Sequence, residues 1–284
     1  MRGLRFLLVL ICGAAAAYSQ TQSPAIAAGG VLNGASFDKT GQPIAPGSLV
    51  SIFGTNLSAA TLSADSIPLS TSLSGVTVTF NGISAPLEDV VHQPGSFDQI
   101  NAQVPWELLS AIPSGAGATV NAQVVVTLNG MTSAPATASI GNAAPGIFTF
   151  PGGIGQAVAY GNVDGAIAAP SGAGLPFPSH PAKIGDPATL VILATGLGAV
   201  NNPVPTGGVP PAGVLSTTLI TPTVLVGGVP AQVVFSGLSP YVGVYQLNIV
   251  IAAGTPTGDA VSLQIQMNGV TSRNDVTIAV SQQQ

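Results

Sequence analysis

Charged residues are scarce in this chain. Asp, Glu, Lys and Arg make up 5% of its 284 residues, against roughly a quarter in ordinary globular proteins. Ten of the charged residues are acidic and five are basic. Because no basic cluster can neutralise phosphates, the composition excludes nucleic acid as a partner, and it provides no polybasic segment for anionic lipid. Ser, Thr, Asn and Gln must therefore solvate the surface.

Residues that carry catalysis or bind metals are also rare. The chain has one cysteine, Cys12, and two histidines, His92 and His180. It cannot form a disulfide within itself and lacks the ligands of a zinc site. No Gly-x-Ser-x-Gly motif is present, and two isolated histidines in loops do not indicate a catalytic triad. We predict no catalytic residue, no metal and no cofactor.

Residues 1–19 have the pattern of a secretory signal. Arg2 and Arg5 supply the positive charge, a short apolar core follows, and Ala17-Tyr18-Ser19 offers small residues for cleavage. The apolar stretch is too short to span a bilayer comfortably, which disfavours a membrane anchor. The pattern predicts a secreted protein, extracellular or at the cell surface, with the periplasm as an alternative. No membrane span is expected after cleavage.

The abundant residues are apolar or turn-forming. Hydrophobic residues make up 46% of the chain, punctuated by 36 Gly and 24 Pro. Short β-branched runs between Gly and Pro predict an all-β protein. The predicted strands are residues 49–53, 76–80, 85–91, 99–104, 119–128, 136–140, 189–194, 223–226, 231–236, 244–251, 260–267 and 275–280. Residues 107–112 are predicted to form one or two helical turns, and residues 20–30 a loose start.

Three blocks recur in the same order after about 140 residues, which is far longer than a solenoid period. The blocks are Asn81-Gly82, Gln99-Ile100-Asn101 and Asn129-Gly130 in the first copy, and Gly227-Gly228, Gln246-Leu247-Asn248 and Asn268-Gly269 in the second. The dipeptides suit type I′ hairpin turns, which need positive φ at both residues. The repeat predicts two tandem immunoglobulin-like β-sandwich domains related by internal duplication. We expect domains at residues 20–148 and 183–284, joined by a hairpin and a Pro/Gly/Ser linker at 149–182.

Residues 45–57 resemble the opening strand of the immunoglobulin-like IPT/TIG family, and residues 183–197 are similar to a weaker version of it. The chain after residue 19 as a whole resembles the acidobacterial "Solibacter C-terminal" domain family. The matching blocks are residues 31–37, 45–57, 76–86, 99–107, 144–148, 155–157, 162–165 and 194–198. The resemblance implies an immunoglobulin-like module and brings no activity with it.

One polar block is a candidate binding site. Alternation along residues 99–104 places Gln99, Asn101 and Gln103 on one face of a strand. In one interpretation the amides hydrogen-bond a sugar, with Trp106 as a stacking platform and Tyr241 near the matching end of the second copy. The alternative is structural: the amides bridge neighbouring loops. The amide pair occurs in both copies and Trp106 in only one, which favours the structural interpretation.

The acidic residues give no clear catalytic pair. Glu88 and Asp89 are adjacent on a predicted strand, so we expect them on opposite faces. Asp98 and Glu107 are the other acids of the first copy that a glycan hydrolase would need. Asn162-Val163-Asp164-Gly165 lacks the further oxygen ligands of a calcium loop and predicts a turn.

These observations predict a secreted, non-enzymatic adhesion or scaffolding module that acts through protein–protein or surface contacts. The partner would be an extracellular protein or polysaccharide. One alternative is a carbohydrate-binding module that uses Trp106 and the nearby amides, and another is a glycan hydrolase with an unrecognised carboxylate pair. Because few charges guard the sheet edges, self-association through those edges is a further hypothesis.

Overall fold

The computed structural model describes residues 22–283, and the predicted signal at residues 1–19 lies outside them. The fold is all-β, with two tandem immunoglobulin-like sandwiches related by an internal duplication. A 3₁₀ helix spans Trp106–Ala111, where the sequence predicts a short helical segment. Within the described range, no helix has the length and apolar character needed to cross a bilayer.

The first sandwich contains two sheets. Its strands are β1 Ala25–Asn33, β2 Leu49–Thr55, β3 Leu62–Ser63, β4 Val76–Phe80, β5 Ile83–Ala85, β6 Leu87–Val91, β7 Asp98–Gln103, β8 Thr119–Leu128, β9 Met131–Thr132 and β10 Ala136–Gly141. One sheet has the order β1-β2-β7-β6-β3, and the other has β10-β8-β4-β5 with β9 beside β8. Inward-facing residues such as Ile52, Phe80 and Ile100 are fully buried between the sheets.

The second sandwich is one continuous sheet wrapped around its own core. Its strands are β11 Gly146–Ile147, β12 Thr149–Gly152, β13 Ile154–Ala157, β14 Ala159–Gly161, β15 Ala182–Lys183, β16 Leu190–Thr195, β17 Thr223–Val226, β18 Val229–Leu238, β19 Tyr245–Val250, β20 Gly258–Met267, β21 Val270–Thr271 and β22 Val276–Ser281. The main order is β11-β16-β19-β18-β17-β20-β22-β13-β12. Ile192, Leu247 and Ile278 are fully buried in the core.

Strand pairing confirms the duplication. The pairs β2–β7, β7–β6, β4–β8 and β8–β10 recur as β16–β19, β19–β18, β17–β20 and β20–β22. The predicted hairpin dipeptides have positive φ in both copies, as type I′ turns require. A serine after the last turn also repeats: the Ser133 Oγ accepts from the Val126 N–H at 3.1 Å, and the Ser272 Oγ accepts from the Ile265 N–H at 2.9 Å.

Pro86 explains why the first sandwich has two sheets and the second has one. The predicted strand 85–91 is divided at Pro86 into β5 and β6, because proline has no N–H for the ladder. The equivalent position in the second sandwich is Gln232, which pairs with Val250 inside the unbroken β18. One substitution between the copies therefore accounts for the difference in sheet continuity.

The predicted loose start is in part a strand. Ala25–Asn33 forms β1, which pairs antiparallel with β2 across a bulge between Ile26 and Val31. Gly29 has a φ of 64°, and a Cβ on Gly30 would lie 2.6 Å from the Phe53 carbonyl oxygen. The small residues of β1 allow it to approach β2 closely. Because they have low β-propensity, the strand is stabilised by its pairing with β2 and cannot be recognised from its own sequence.

The segment predicted as hairpin and linker, residues 149–182, packs into the second sandwich. It contains β12 to β14, and Ala157, Ala159 and Ala168 are fully buried in the second core. Tyr160 and Ile167 form the bridge of the predicted hairpin. The structure therefore places this segment within the sandwich and not between two domains, because its alanines fit against β16.

The two sandwiches meet at an interface that we call the seam. The Thr195 hydroxyl accepts from the Leu49 N–H at 3.0 Å and donates to the Gly243 carbonyl at 2.6 Å. The Gln103 Oε1 accepts from the Gly207 N–H at 2.6 Å. These bonds are buried, so the seam satisfies backbone groups that would otherwise be unpaired.

The two longest uncharged strands, β8 and β18, have ten residues each, and neither is a sheet edge. β8 lies between β10 and β4, so its backbone groups are paired on both sides. The edges of the first sandwich include β3, with two residues, and β5, with three. Shortness protects these two edges without charge, whereas the other two edges, β1 and β10, have nine and six residues.

Candidate functional site

Both sandwiches carry a β-bulge at the same point of the same strand pair. In the first, Leu87 pairs with Ala102 and Asp89 with Asn101, which leaves Glu88 as the extra residue. In the second, Val233 pairs with Ile249 and Phe235 with Asn248, which leaves Val234 as the extra residue. The bulge turns two consecutive side chains away from the core.

The bulge overturns one expectation from the sequence. Glu88 and Asp89 do not lie on opposite faces, because both turn outward between the buried Leu87 and Val90. Burial and, to a smaller degree, the neighbouring Asp89 carboxylate raise the pKa of Glu88 to about 7. Glu88 lines a cavity of about 100 Å³ that also contacts Phe37 and Phe148.

In the first sandwich Asn101 is hydrogen-bonded at both ends of its amide, whereas Gln99 Oε1 has no partner in the described part of the chain. Gln99 Nε2 donates to Asn101 Oδ1 at 2.8 Å, and the Ser51 hydroxyl donates to the same oxygen at 2.8 Å. Asn101 Nδ2 donates to Asp89 Oδ2 at 3.2 Å, and the Ser63 hydroxyl donates to Asp89 Oδ1. This network uses both polar ends of Asn101 within the protein.

The matching amides of the second sandwich keep free hydrogen-bonding atoms. Gln246 Nε2 donates to Asn248 Oδ1 at 2.7 Å, as in the first copy. The residue paired with Asn248 on β16 is Val191, where the first copy has Ser51. Phe235 replaces Asp89 on the other side. Gln246 Oε1 and Asn248 Nδ2 have no partner in the described part of the chain, so an acceptor and a donor lie side by side.

A groove of about 430 Å³ runs over these free amides. One wall of the groove is a loop that includes Pro210, Pro211, Val214 and Leu215. The opposite wall, on the side of the sheet, includes Phe235, Leu238 and Pro240. None of the lining residues carries a charge. The volume is within the usual range for a ligand site, and we call this feature the amide groove.

Phe235 provides a flat apolar surface in the amide groove. A Cβ on Gly237 would lie 2.7 Å from Phe235 Cζ, so the ring lies across the strand where glycine leaves room. Val214, Leu215 and Tyr241 near the groove are exposed, with 41%, 65% and 63% of their surface accessible. An aromatic face beside free amides can pack against the C–H face of a neutral ligand while the amides bind its polar groups.

Two of the predicted site residues belong to the seam. The Trp106 ring lies directly over Gly47, and its backbone N–H donates to the Thr206 hydroxyl at 3.0 Å. Trp106 also packs against the second core. Gln103 is buried and bridges Gly47 and Gly207. Both side chains contact protein from each sandwich.

The other predicted residues lie apart from Trp106. Gln99 and Asn101 are on the outer face of the first sandwich within the network described above. Tyr241 is exposed beside Pro240, at the end of the amide groove. The five predicted residues are thus distributed over three places.

The remaining acids serve local structure. The buried Asp98 accepts from the Leu57 N–H at 2.8 Å and the Gln93 N–H at 3.0 Å, and it pairs with His92 at 3.0 Å. Glu107 accepts from the Thr206 hydroxyl at 2.8 Å. Among residues 22–283, no three His, Cys, Asp or Glu side chains are grouped as metal ligands would be.

No protein-family model and no curated protein matches the chain. Similar solved structures include SGBP-B of the Bacteroides ovatus mixed-linkage glucan utilization locus, in complex with a mixed-linkage heptasaccharide, at 9% identity and a TM-score of 0.30. That match covers 87% of this chain and 46% of the other, so this chain spans less than half of SGBP-B. The Escherichia coli adhesin FdeC has 14% identity, a TM-score of 0.23, and coverage of 85% and 62%. Titin domains z1z2 have 10% identity, a TM-score of 0.19, and coverage of 92% and 99%. These scores are too low to support a function.

Sequence reasoning missed Phe235 as a site residue. The repeat already aligned Gln246 and Asn248 with Gln99 and Asn101. Extending that alignment to the neighbouring strand would have placed Phe235 opposite Asn248, as Asp89 is opposite Asn101. The covering loop left no such signal, because its position depends on tertiary contacts such as the Leu69 N–H to Gly207 carbonyl bond of 2.9 Å.

Proposed function

We propose that this protein is a non-enzymatic adhesion or scaffolding module that binds an uncharged polysaccharide in the amide groove. The free acceptor of Gln246 and the free donor of Asn248 beside the Phe235 ring carry this proposal. Adjacent hydroxyls of a sugar are both donors and acceptors, so they match such a pair.

The absence of charged residues from the lining of the amide groove favours a neutral ligand. A charged ligand would lose its hydration in a groove whose lining offers no opposite charge. A neutral sugar presents hydroxyls at its edge and C–H groups on its face, which suit the amides and the Phe235 ring respectively. This location replaces the Trp106 site expected from the sequence with the equivalent amides of the second copy.

The test is a binding titration with residues 20–284. Neutral polysaccharides such as mixed-linkage glucan, cellulose fragments and starch would be compared with acidic ones such as polygalacturonate by calorimetry. We expect saturable binding to at least one neutral polymer and none to the acidic ones. Binding only to acidic polymers, or to none of them, would overturn the proposal.

The duplication supplies matched controls. Phe235→Ala and Gln246→Ala should each weaken binding by about fivefold or more, because stacking and amide contacts are each worth about 1 kcal/mol or more. Gln99→Ala removes the equivalent amide from the first sandwich and should leave affinity unchanged. Equal loss in Gln99→Ala and Gln246→Ala would place the site elsewhere.

A further inference from the structure

The amide groove continues into a row of side chains that crosses four strands. Phe235 on β18 is opposite Asn248 on β19. Asn248 is in turn opposite Val191 on β16, and Val191 is opposite Tyr160 on β14. Directly opposed residues of an antiparallel pair project from the same face of a sheet. The row therefore has an aromatic residue at each end and a free amide between them.

The two ends of the row and its amide are accessible to a ligand. Phe235, Asn248 and Tyr160 are each partly exposed. Within residues 22–283 the Tyr160 hydroxyl and Asn248 Nδ2 have no hydrogen-bond partner, and neither atom is among the unpartnered polar atoms that are buried. Val191 is 1% exposed and contributes no contact. A ligand would therefore bind to the residues on either side of Val191.

Tyr241 lies near the Tyr160 end of the row. Partial burial and, to a smaller degree, the phenol of Tyr241 raise the pKa of Tyr160. A neighbouring ionisable group acts on a pKa over a short range, so the two phenols are close to each other. Tyr241 is largely exposed and follows Pro240, which lines the amide groove. The groove is therefore continuous with a second aromatic surface.

The first sandwich has the same row without the aromatic ends. Asp89 is opposite Asn101. Asn101 is opposite Ser51, and Ser51 is opposite Leu32. Leu32 is buried, and Asp89 accepts a hydrogen bond from Asn101. Of the two rows, only that of the second sandwich combines a free amide donor with aromatic residues on both sides.

The length of the row indicates the size of the ligand. Neighbouring strands lie about 4.8 Å apart, so the backbones of Phe235 and Tyr160 are about 14 Å from each other across the sheet. A single sugar ring is shorter than this distance and cannot contact both residues. A straight chain of several rings can do so, whereas a chain that coils, such as the α-linked glucan of starch, would leave the row.

We propose that the amide groove binds an extended, cellulose-like neutral glycan that crosses the strands from Phe235 to Tyr160 and is hydrogen-bonded by Asn248 between them. This inference rests on the proposed function and adds to it the shape of the chain and a second aromatic contact. In such a glycan each sugar is turned over relative to the next, which gives a flat ribbon with hydroxyls at its edges and C–H groups on its faces. The faces suit the two rings, and the edge suits the amide and the Tyr160 hydroxyl.

The test is a series of cello-oligosaccharides titrated into residues 20–284 by calorimetry. The probes are cellobiose, cellotriose, cellotetraose and cellopentaose, and maltotetraose serves as the coiled control. We expect affinity to rise by about fivefold or more between cellobiose and cellotetraose, because only the longer chain reaches Tyr160. Maltotetraose should bind no better than cellobiose.

Variants at Tyr160 assign the rise in affinity to this residue. Tyr160→Leu keeps an apolar side chain beside Val191 and removes the flat ring, so cellotetraose should bind as weakly as cellobiose. Tyr160→Phe keeps the ring and should retain most of the rise. Phe97→Ala removes an aromatic residue of the first sandwich that is 52% exposed, and it should change nothing.

Three results would overturn the inference. These are a cellotetraose affinity no higher than that of cellobiose, equal binding of maltotetraose and cellotetraose, or an unchanged cellotetraose affinity in Tyr160→Leu. If starch binds, Phe235→Ala weakens that binding and no cello-oligosaccharide binds, the amide groove remains the site and the extended row is wrong. If no neutral polysaccharide binds, both proposals fail.

Discussion

The two sandwiches share a bulge and an amide pair, and they differ in the side chains that surround them. Around Asn101 the first sandwich places Ser51 and Asp89, which occupy both ends of the amide. Around Asn248 the second places Val191 and Phe235, which leave the amide donor free. The same backbone therefore holds a closed hydrogen-bonded network in one copy and an amide with a free donor in the other, depending on two neighbouring residues.

The covering loops extend this contrast. The outer face of the first sandwich meets Phe37 and Phe148 and leaves a cavity of about 100 Å³. The amide groove of the second, under the loop with Pro210 and Pro211, has about 430 Å³. A ligand of drug size needs about 300 Å³ or more. Only the second of these two faces meets that requirement.

The largest expected effect concerns whether the copies unfold together. Ile100→Ala and Leu247→Ala truncate equivalent, fully buried residues, and each should lower the free energy of unfolding by about 3 kcal/mol. Because the seam bonds link the sandwiches, we expect each variant to shift a single transition in urea. Two separate transitions, each moved by only one variant, would show that the copies are independent.

The next effect concerns pH and is confined to the first bulge. Glu88 has a pKa of about 7 in the folded protein, against 4.5 ordinarily. Between these values the folded state holds a proton that the unfolded state has lost, so stability falls as pH rises from 4.5 to 7, by about 3 kcal/mol. Glu88→Gln should remove this fall in urea denaturation measured across that range.

Val234→Gln provides the matched control for the pH prediction. It changes the equivalent bulge residue of the second sandwich and should leave the pH dependence as it is in the parent protein. A slope that persists in Glu88→Gln would assign the proton uptake to another group.

The smallest expected effect concerns two equivalent serines, which should stabilise the two copies to the same extent. Ser133→Ala and Ser272→Ala each remove a hydroxyl that accepts from a buried strand N–H. Each should lower the free energy of unfolding by about 1 kcal/mol, since a buried donor loses its partner. Chemical denaturation of both variants checks this, and a difference of more than about 1 kcal/mol between them would mean that the two hydroxyls are not equivalent.

Much of the fold was predictable because its signals are local. The strands Val76–Phe80, Thr119–Leu128 and Thr223–Val226 have the bounds expected from the sequence. Turn dipeptides and β-branched runs act over a few residues, so they can be recognised without knowing the neighbours. β1 was not recognised, because its pairing with β2 is stabilised by contacts outside the segment.

The candidate sites were predictable only in part. The sequence indicated the amide pairs, and it placed the stacking residue at Trp106, which the structure shows in the seam.

The amino-acid sequence by itself determined that this is an all-β chain with a duplicated unit and hairpins at defined dipeptides. These properties follow from backbone preferences and from the repetition of residues along the chain. The tertiary structure alone decided which amides are free, which way Glu88 points, and which loop covers a sheet. Those outcomes depend on cross-strand register and on contacts between distant segments, and a bulge of one residue changes which face a side chain occupies.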